Sequence, residues 1–224
     1  NGWHVVGADI REPDDSSGID RFIRIDLGDA AGICDLFGSI TEKEGQIDAL
    51  INNAAIQICK PIADITTEEW DHLINVNLRA PFLAARSALT LMRKKGGAIV
   101  NISSVHAIAT SNNMAVYAAS KGGLVALTKG LAIEFAPYNI RVNALLPGAV
   151  DTQMLRDGVM RDRSGMTMAE CLEELAAKTV MNRIGHPSEI ARAIWFLTDN
   201  KSSSFMTGQI LVLDGGATAR LSTE

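Results

Sequence analysis

The sequence predicts an α/β chain: one domain, doubly wound around a mostly parallel sheet. Three observations carry that expectation. Short apolar runs alternate with segments whose apolar residues recur every three or four positions, the strand–helix–strand rhythm of parallel sheets. Asp9, Asp26, Asn53, Ser104 and Pro147-Gly148 stand at or just past the carboxyl ends of those runs, where an open α/β sheet forms its ligand crevice. The 224 residues, 47% of them apolar, are enough for one sizeable core, and no repeat, low-complexity tract or linker divides them.

In chain order, residues 3–9 read as a short buried strand ending in an acid, and residues 22–25 as a second strand closed by Asp26. Over residues 30–43, Ile33, Phe37 and Ile40 share one helical face. Residues 48–52 form a third strand, followed by Asn53-Ala54-Ala55. Thr66, with Glu69 three residues on, opens a helix that runs to about Arg93. Inside it Asn77 is a poor helix former, and Pro81, four residues later, has no N–H for the Asn77 carbonyl. The helix should kink there and leave that carbonyl able to hold a water. Residues 97–103 are the fourth strand. After Tyr117, Leu124, Leu127, Leu131 and Phe135 form one buried helical stripe. Residues 140–146 are the fifth strand, broken by Pro147-Gly148, and residues 150–182 read as a long irregular segment. Pro187 sits in the first turn of a helix running to about Thr198, and residues 209–214 are the last strand, followed by Gly215-Gly216.

The net charge of −5, without a basic cluster, argues against nucleic acid and anionic membrane surfaces. No apolar run is long enough to span a bilayer. Cys34, Cys59 and Cys171 are far apart and show neither metal nor redox spacing, which fits a reduced, cytoplasmic setting and no metal.

Tyr117 and Lys121 are four residues apart on a helix and share a face. A free phenol ionises near pH ~10, too high for a good base at neutral pH. A cation within a few ångströms lowers that value by roughly 1–3 units, and a tuned tyrosine can take a proton from an alcohol or give one to a carbonyl. Ser104 ends a strand just before this helix, where a hydroxyl can hydrogen-bond a substrate oxygen. Ser104, Tyr117 and Lys121 at this spacing resemble the catalytic signature of the short-chain dehydrogenase/reductase family.

The resemblance extends over essentially the whole chain. It implies a Rossmann-like domain that binds a nicotinamide cofactor and transfers hydride between it and a secondary alcohol or ketone. Asn52-Asn53-Ala54-Ala55 is similar to the family's Asn-Asn-Ala-Gly turn beneath the cofactor; Ala55 replaces the glycine and fits only if its φ is ordinary. The stretch Asn75-Val-Asn77-Leu matches one whose asparagine completes a proton relay through water and the lysine. Pro147-Gly148-Ala-Val-Asp-Thr152 resembles the turn whose threonine bonds the nicotinamide carboxamide. Thr207-Gly208-Gln209 and Asp214-Gly215-Gly216 resemble closing signatures with a structural and subunit-packing role. Asp9, followed by Ile10, can accept both hydroxyls of an adenosine ribose, which favours NAD over NADP; Arg11 is the competing signal. Asp26, followed by Leu27, resembles the acid that reaches the adenine amino group, and otherwise reads as a cap for the next helix.

The expected catalytic set is therefore Ser104, Tyr117, Lys121 and Asn77, with Lys121 also holding the nicotinamide ribose. Gln57, His106 and Met114 are the expected substrate contacts. Gln57 and His106 resemble the carboxylate-binding pair of 3-hydroxybutyrate dehydrogenases, but Met114 stands where that group has lysine. A small hydroxy acid or polyol is the expected substrate, residues 150–182 the expected lid, and a homotetramer the family's habit. Competing readings are a 3-oxoacyl thioester reductase-like enzyme, or a non-catalytic scaffold on the same fold. The scaffold reading arises because the family's first strand and glycine-rich phosphate turn are not in this sequence. That strand is expected between those ending at Asp9 and Asn52. A strand, turn and helix of roughly 25–30 residues upstream would supply it. Without them the chain should be barely stable and bind cofactor poorly.

Overall fold

The computed structural model describes residues 2–13, 18–160 and 165–220. Their elements run β1 (Val6–Asp9), β2 (Arg21–Arg24), α1 (Ala30–Lys43), β3 (Ala49–Asn52), α2 (Thr67–Ile74), α3 (Ala80–Met92), β4 (Gly97–Ile102), α4 (Ala115–Phe135), β5 (Ile140–Pro147), α5 (Gln153–Val159), α6 (Met168–Ala177), α7 (Pro187–Thr198) and β6 (Ile210–Leu213). All strand pairs are parallel: β1 with β2, and β3-β4-β5-β6 in that order. This is the α/β, Rossmann-like single domain that the alternating pattern predicts.

Strand β4 is buried along its whole length because helices cover both faces. Ile99 faces a cluster containing Ile33 and Phe37 of α1, Ala88 of α3 and Leu131 of α4. Its neighbour Val100 faces the opposite cluster, with Leu145 of β5 and Leu197 of α7. A strand buried on both faces has no polar side, so its sequence is a continuous apolar run. Polar residues inside it are paired: Asn101 lies opposite Asn52 of β3. Asn52 Nδ2 donates to Asn101 Oδ1 at 2.8 Å, and Asn101 Nδ2 donates to Thr128 Oγ1 of α4 at 2.9 Å.

Between β1 and β3 there is no pairing. Both strands line a cavity of about 780 Å³, shared with Leu36, Phe37 and Ile40 of α1 and with Pro81 and Ala84 of α3. This cleft occupies the place expected for a further strand.

Three boundaries differ from the sequence expectation. β1 begins at Val6, and Trp3 and Val5 are exposed, although the Val5 carbonyl still accepts the N–H groups of Asp20 and Arg21. The helix from Thr66 keeps its capping box but is interrupted where Pro81 predicts: residues Asn75–Arg79 form a π-helical turn, with the Ala80 N–H reaching Asn75 O. Within the expected irregular segment 150–182, the described residues 150–160 and 165–182 hold α5 and α6, and residues 161–164 lie outside the described residues. Thr152 caps α5, and Thr167 with Glu170 forms a capping box on α6, whose Cys171 is fully buried. The same signal that opens α2 was present at Thr167, hidden by the surrounding Met, Asp and Arg residues.

Candidate active site

The end of β4 and the first turns of α4 build one wall. Ser103 holds the two together: its N–H donates to Leu145 O at 2.8 Å and its Oγ to Lys121 O at 2.8 Å. Lys121 is only 2% exposed, and its Nζ donates to Ile102 O, the last carbonyl of β4, at 2.9 Å. Ser104 follows in extended conformation, and its Oγ accepts the His106 N–H at 3.2 Å. Lys121 Nζ lies 5.7 Å from the Tyr117 ring centroid. Ser104, Tyr117 and Lys121, separated in sequence, thus meet in one place.

Burial pushes the Tyr117 phenol above its ordinary value, and the Ser104 hydroxyl pulls it partly back. The lowering expected from Lys121 does not win in the chain by itself, because desolvation of the phenolate is the larger effect and the ammonium is aimed at the Ile102 carbonyl. Burial also pushes Lys121 down to about 8, so its charge is kept at neutral pH but titrates not far above it.

The π-turn carries Asn77 to the back of this wall, 1% exposed. Its side chain is fully engaged: Oδ1 accepts the Ile56 N–H at 2.8 Å, while Nδ2 donates to Ile56 O at 2.9 Å and Ser120 Oγ at 3.1 Å. Ser120 Oγ in turn donates to Tyr117 O at 2.7 Å. What Asn77 offers a relay is therefore its main-chain carbonyl, for which Pro81 supplies no N–H. The turn approaches α4 this closely because residue 123 is glycine: a Cβ there would stand 2.9 Å from Leu78 Cδ2.

Among the expected substrate contacts, His106 packs edge-on against Tyr117, with ring centroids 5.7 Å apart, and its Nδ1 is 3.0 Å from Thr110 Oγ1. Burial pushes its pKa down, which favours the neutral ring. Gln57 Nε2 reaches Met114 Sδ at 3.6 Å, and Met114 is buried beside Tyr117 and Leu73.

The expected cofactor residues lie along the carboxyl edge. Asp9, Leu27, Asn53 and Ala54 line the large cavity; Ile10 and Asp26 stand outside its lining. Asp9 Oδ1 accepts the Arg11 N–H at 3.0 Å, and Ile10, 53% exposed, has its carbonyl bonded by Arg24 Nε at 3.2 Å. Asp26 Oδ1 accepts the Gly28 N–H at 2.8 Å; the helix cap is Asp29, not Asp26. Ala55 is not among the residues with positive φ, so the replacement of glycine there is free of strain. Pro147 ends β5, and Gly148 packs against Asp214 so tightly that a Cβ would sit 2.7 Å from the Asp214 Cβ. Thr152 Oγ1 accepts the Leu155 N–H at 3.3 Å, which leaves its proton to donate. This donor set fits a dinucleotide: a carboxylate at the end of β1, an apolar wall at Leu27, and a buried ammonium beside Tyr117. Among the described residues no cluster of ligands could hold a metal, and no helix is long and apolar enough to cross a membrane.

Ser103, Ser120, Thr110 and Arg24 escaped the sequence reading. Ser103 and Ser120 each precede an assigned residue, and a serine on an otherwise apolar helix face three residues after Tyr117 was the available signal for Ser120. Nothing local marks Thr110 or Arg24.

Residues 1–218 match the profile of a protein family described as enoyl-(acyl carrier protein) reductase. A cyclopentanol dehydrogenase of Comamonas sp. (strain NCIMB 9872) is 35% identical over 96% of this chain and 82% of its own. A 4-hydroxyisoleucine dehydrogenase solved with NADH superposes with a TM-score of 0.81 at 31% identity, covering 97% of this chain and 88% of its own. A gluconate 5-dehydrogenase from Burkholderia cenocepacia J2315, solved with NADP and tartrate, gives 0.86 at 30% identity, covering 98% and 87%. The fold, the Ser104–Tyr117–Lys121 wall and these matches agree: the chain belongs to the short-chain dehydrogenase/reductase family of oxidoreductases.

Proposed function

We propose that this enzyme interconverts a secondary alcohol and its ketone, with a small hydroxy acid or polyol as substrate and NAD rather than NADP as cofactor. The observation that carries the chemistry is the convergence of Ser104 and Tyr117 beside a buried Lys121, whose Nζ lies 5.7 Å from the Tyr117 ring centroid. Bound nicotinamide supplies the hydride acceptor or donor. Tyr117 holds the proton that leaves the carbinol in oxidation or reaches the carbonyl oxygen in reduction. Ser104 Oγ orients that oxygen. The Lys121 ammonium, fixed by Ile102 O, favours the phenolate as it forms and holds the nicotinamide ribose. Asn77, through its main-chain carbonyl, supports the water that reconnects Lys121 with solvent. Asp9 and Asn53-Ala54 hold the adenosine and central parts of the cofactor, with Ile10, Asp26, Leu27, Pro147, Gly148 and Thr152 around it.

The hydroxy-acid reading is supported by His106, packed on Tyr117, and by Gln57, which reaches Met114 in the same cluster; Met114 supplies an apolar wall where a lysine would add charge. The fold reads as one catalytic unit, with residues 150–182 as its lid. The chain is proposed to act in the cytoplasm, its three cysteines outside any disulfide, and as a homotetramer. Trp195 on α7 and Val212 and Leu213 on the edge strand β6 are the exposed apolar residues that support assembly. The test is nicotinamide absorbance during incubation with 3-hydroxybutyrate, gluconate and cyclopentanol, each with NAD and NADP. Turnover of a hydroxy acid with NAD is expected; turnover of cyclopentanol alone, or with NADP alone, would refute the corresponding half of the proposal.

A further inference from the structure

Gly158 stands in the last turn of α5, and its backbone is not among the left-handed positions. Conformation therefore does not call for glycine, and glycine is among the poorest helix formers. What its missing side chain makes room for is Gln57. A Cβ at residue 158 would stand 3.2 Å from Gln57 Nε2, 3.6 Å from Oε1 and 3.7 Å from Cδ. The helical glycines Gly38 and Gly130, by contrast, have nothing within 4 Å of that position. α5 thus lies flat against a primary amide, and the same amide touches Met114 Sδ, three residues before Tyr117. At the base of the segment, Asp151 N–H donates to Gly185 O at 2.9 Å and Gly185 N–H to Ala149 O at 2.8 Å. Arg156 braces Asp151 through Nε and an Nη at 2.8 and 2.9 Å. The base is tied down, and the far end of α5 rests on the candidate substrate pocket.

We infer that Gly158 sets how deeply α5 seats on Gln57, and that this contact selects short hydroxy acids over bulkier apolar alcohols. The selective half rests on the hydroxy-acid reading above. Thioether sulfur is a weak acceptor, whereas a carboxylate oxygen is a strong one for the same amide N–H. An acid head can compete for Gln57 while α5 stays down. An apolar substrate of greater width has to lift α5 and offers the amide nothing in return.

Hydrogen exchange of the full chain tests the seating without turnover. In Gly158→Ala, alanine favours the helix, yet exchange of the α5 amides should rise about threefold or more because the methyl group meets Gln57. Adding Gln57→Ala should return exchange to the wild-type rate. In kinetics, Gly158→Ala should raise KM for 3-hydroxybutyrate about tenfold and leave that for cyclopentanol no higher. Unchanged exchange in Gly158→Ala would overturn the seating role. Raised exchange with both KM values moving in parallel would overturn the selectivity. A wild-type enzyme inert toward every hydroxy acid would remove the substrate reading and the selectivity with it, while exchange still judges the seating by itself.

Discussion

The wall made by β4, β5 and α4 and the corner made by β1 and β2 serve one site with unequal support. On the wall, β4 is paired on both sides, buried along its length, and tied to α4 through Ser103, Asn101 and the Lys121 ammonium. At the corner, Asp9 ends a four-residue strand with one paired neighbour, Ile10 follows it, and the cavity of about 780 Å³ lies on its other side. The groups proposed to move a proton sit on the wall, and those proposed to meet the adenosine end of the cofactor sit at the corner. The contrast teaches that burial fixes side chains in place on the wall, whereas the corner presents a carboxylate at the end of a strand paired on one side.

The contrast can be broken most sharply at Tyr117. Tyr117→Phe removes the proton donor but keeps the ring that packs with Leu73 and Met114, so kcat should fall by ~10²–10⁴ with melting temperature nearly unchanged. A pure variant with near-normal turnover would show that the wall is structural. Lys121 gives the next largest effect, read as stability. Its folded value of about 8 lies below 10.5, the ordinary lysine value, so between these pH values the unfolded chain binds more protons and stability contributed by this group rises with pH. Below pH 8 the full burden of the buried charge is present. The unfolding free energy of Lys121→Met relative to wild type should therefore drop by about 3 kcal/mol as pH climbs through that window, measured by denaturant titration. A flat difference would mean that the ammonium is hydrated. At the corner the effect is smaller: Asp9→Ala should narrow the preference for NAD over NADP by about tenfold in kcat/KM without moving the melting temperature. A wild-type preference for NADP would put Arg11 and Arg24 in charge of that corner.

Much of the wall was legible because burial leaves periodic traces. Ile99 and Val100 face opposite clusters, so the β4 run is apolar throughout, and Pro81 marks the π-turn by lacking an N–H. The candidate site residues were named from spacing and resemblance, and the fold brings Ser104, Tyr117 and Lys121 together. Their energetics were not legible there: the direction of the Tyr117 shift depends on how much water is excluded and on where Lys121 Nζ points, neither of which spacing encodes. Segment 150–182 was misread because its caps, Thr152 and Thr167, lie among residues of no clear periodicity. Gly158 was invisible for a different reason. A helical glycine has meaning only once its neighbour across the pocket, Gln57, is known.

The facing pair Asn52 and Asn101 has a mechanical consequence for β3. A strand with an open edge is prone to slide along its remaining partner, and sliding by one residue reverses which side chains face each way. Here a slide would set Ile51 opposite Asn101. The buried carboxamide would lose its acceptor contact with Asn52, at a cost of about 1–3 kcal/mol. The two asparagines act as a key in a slot. They fix the height of the Asn53-Ala54 turn against Ser104 at the end of the neighbouring strand, whatever lies in the cleft on the other side of β3.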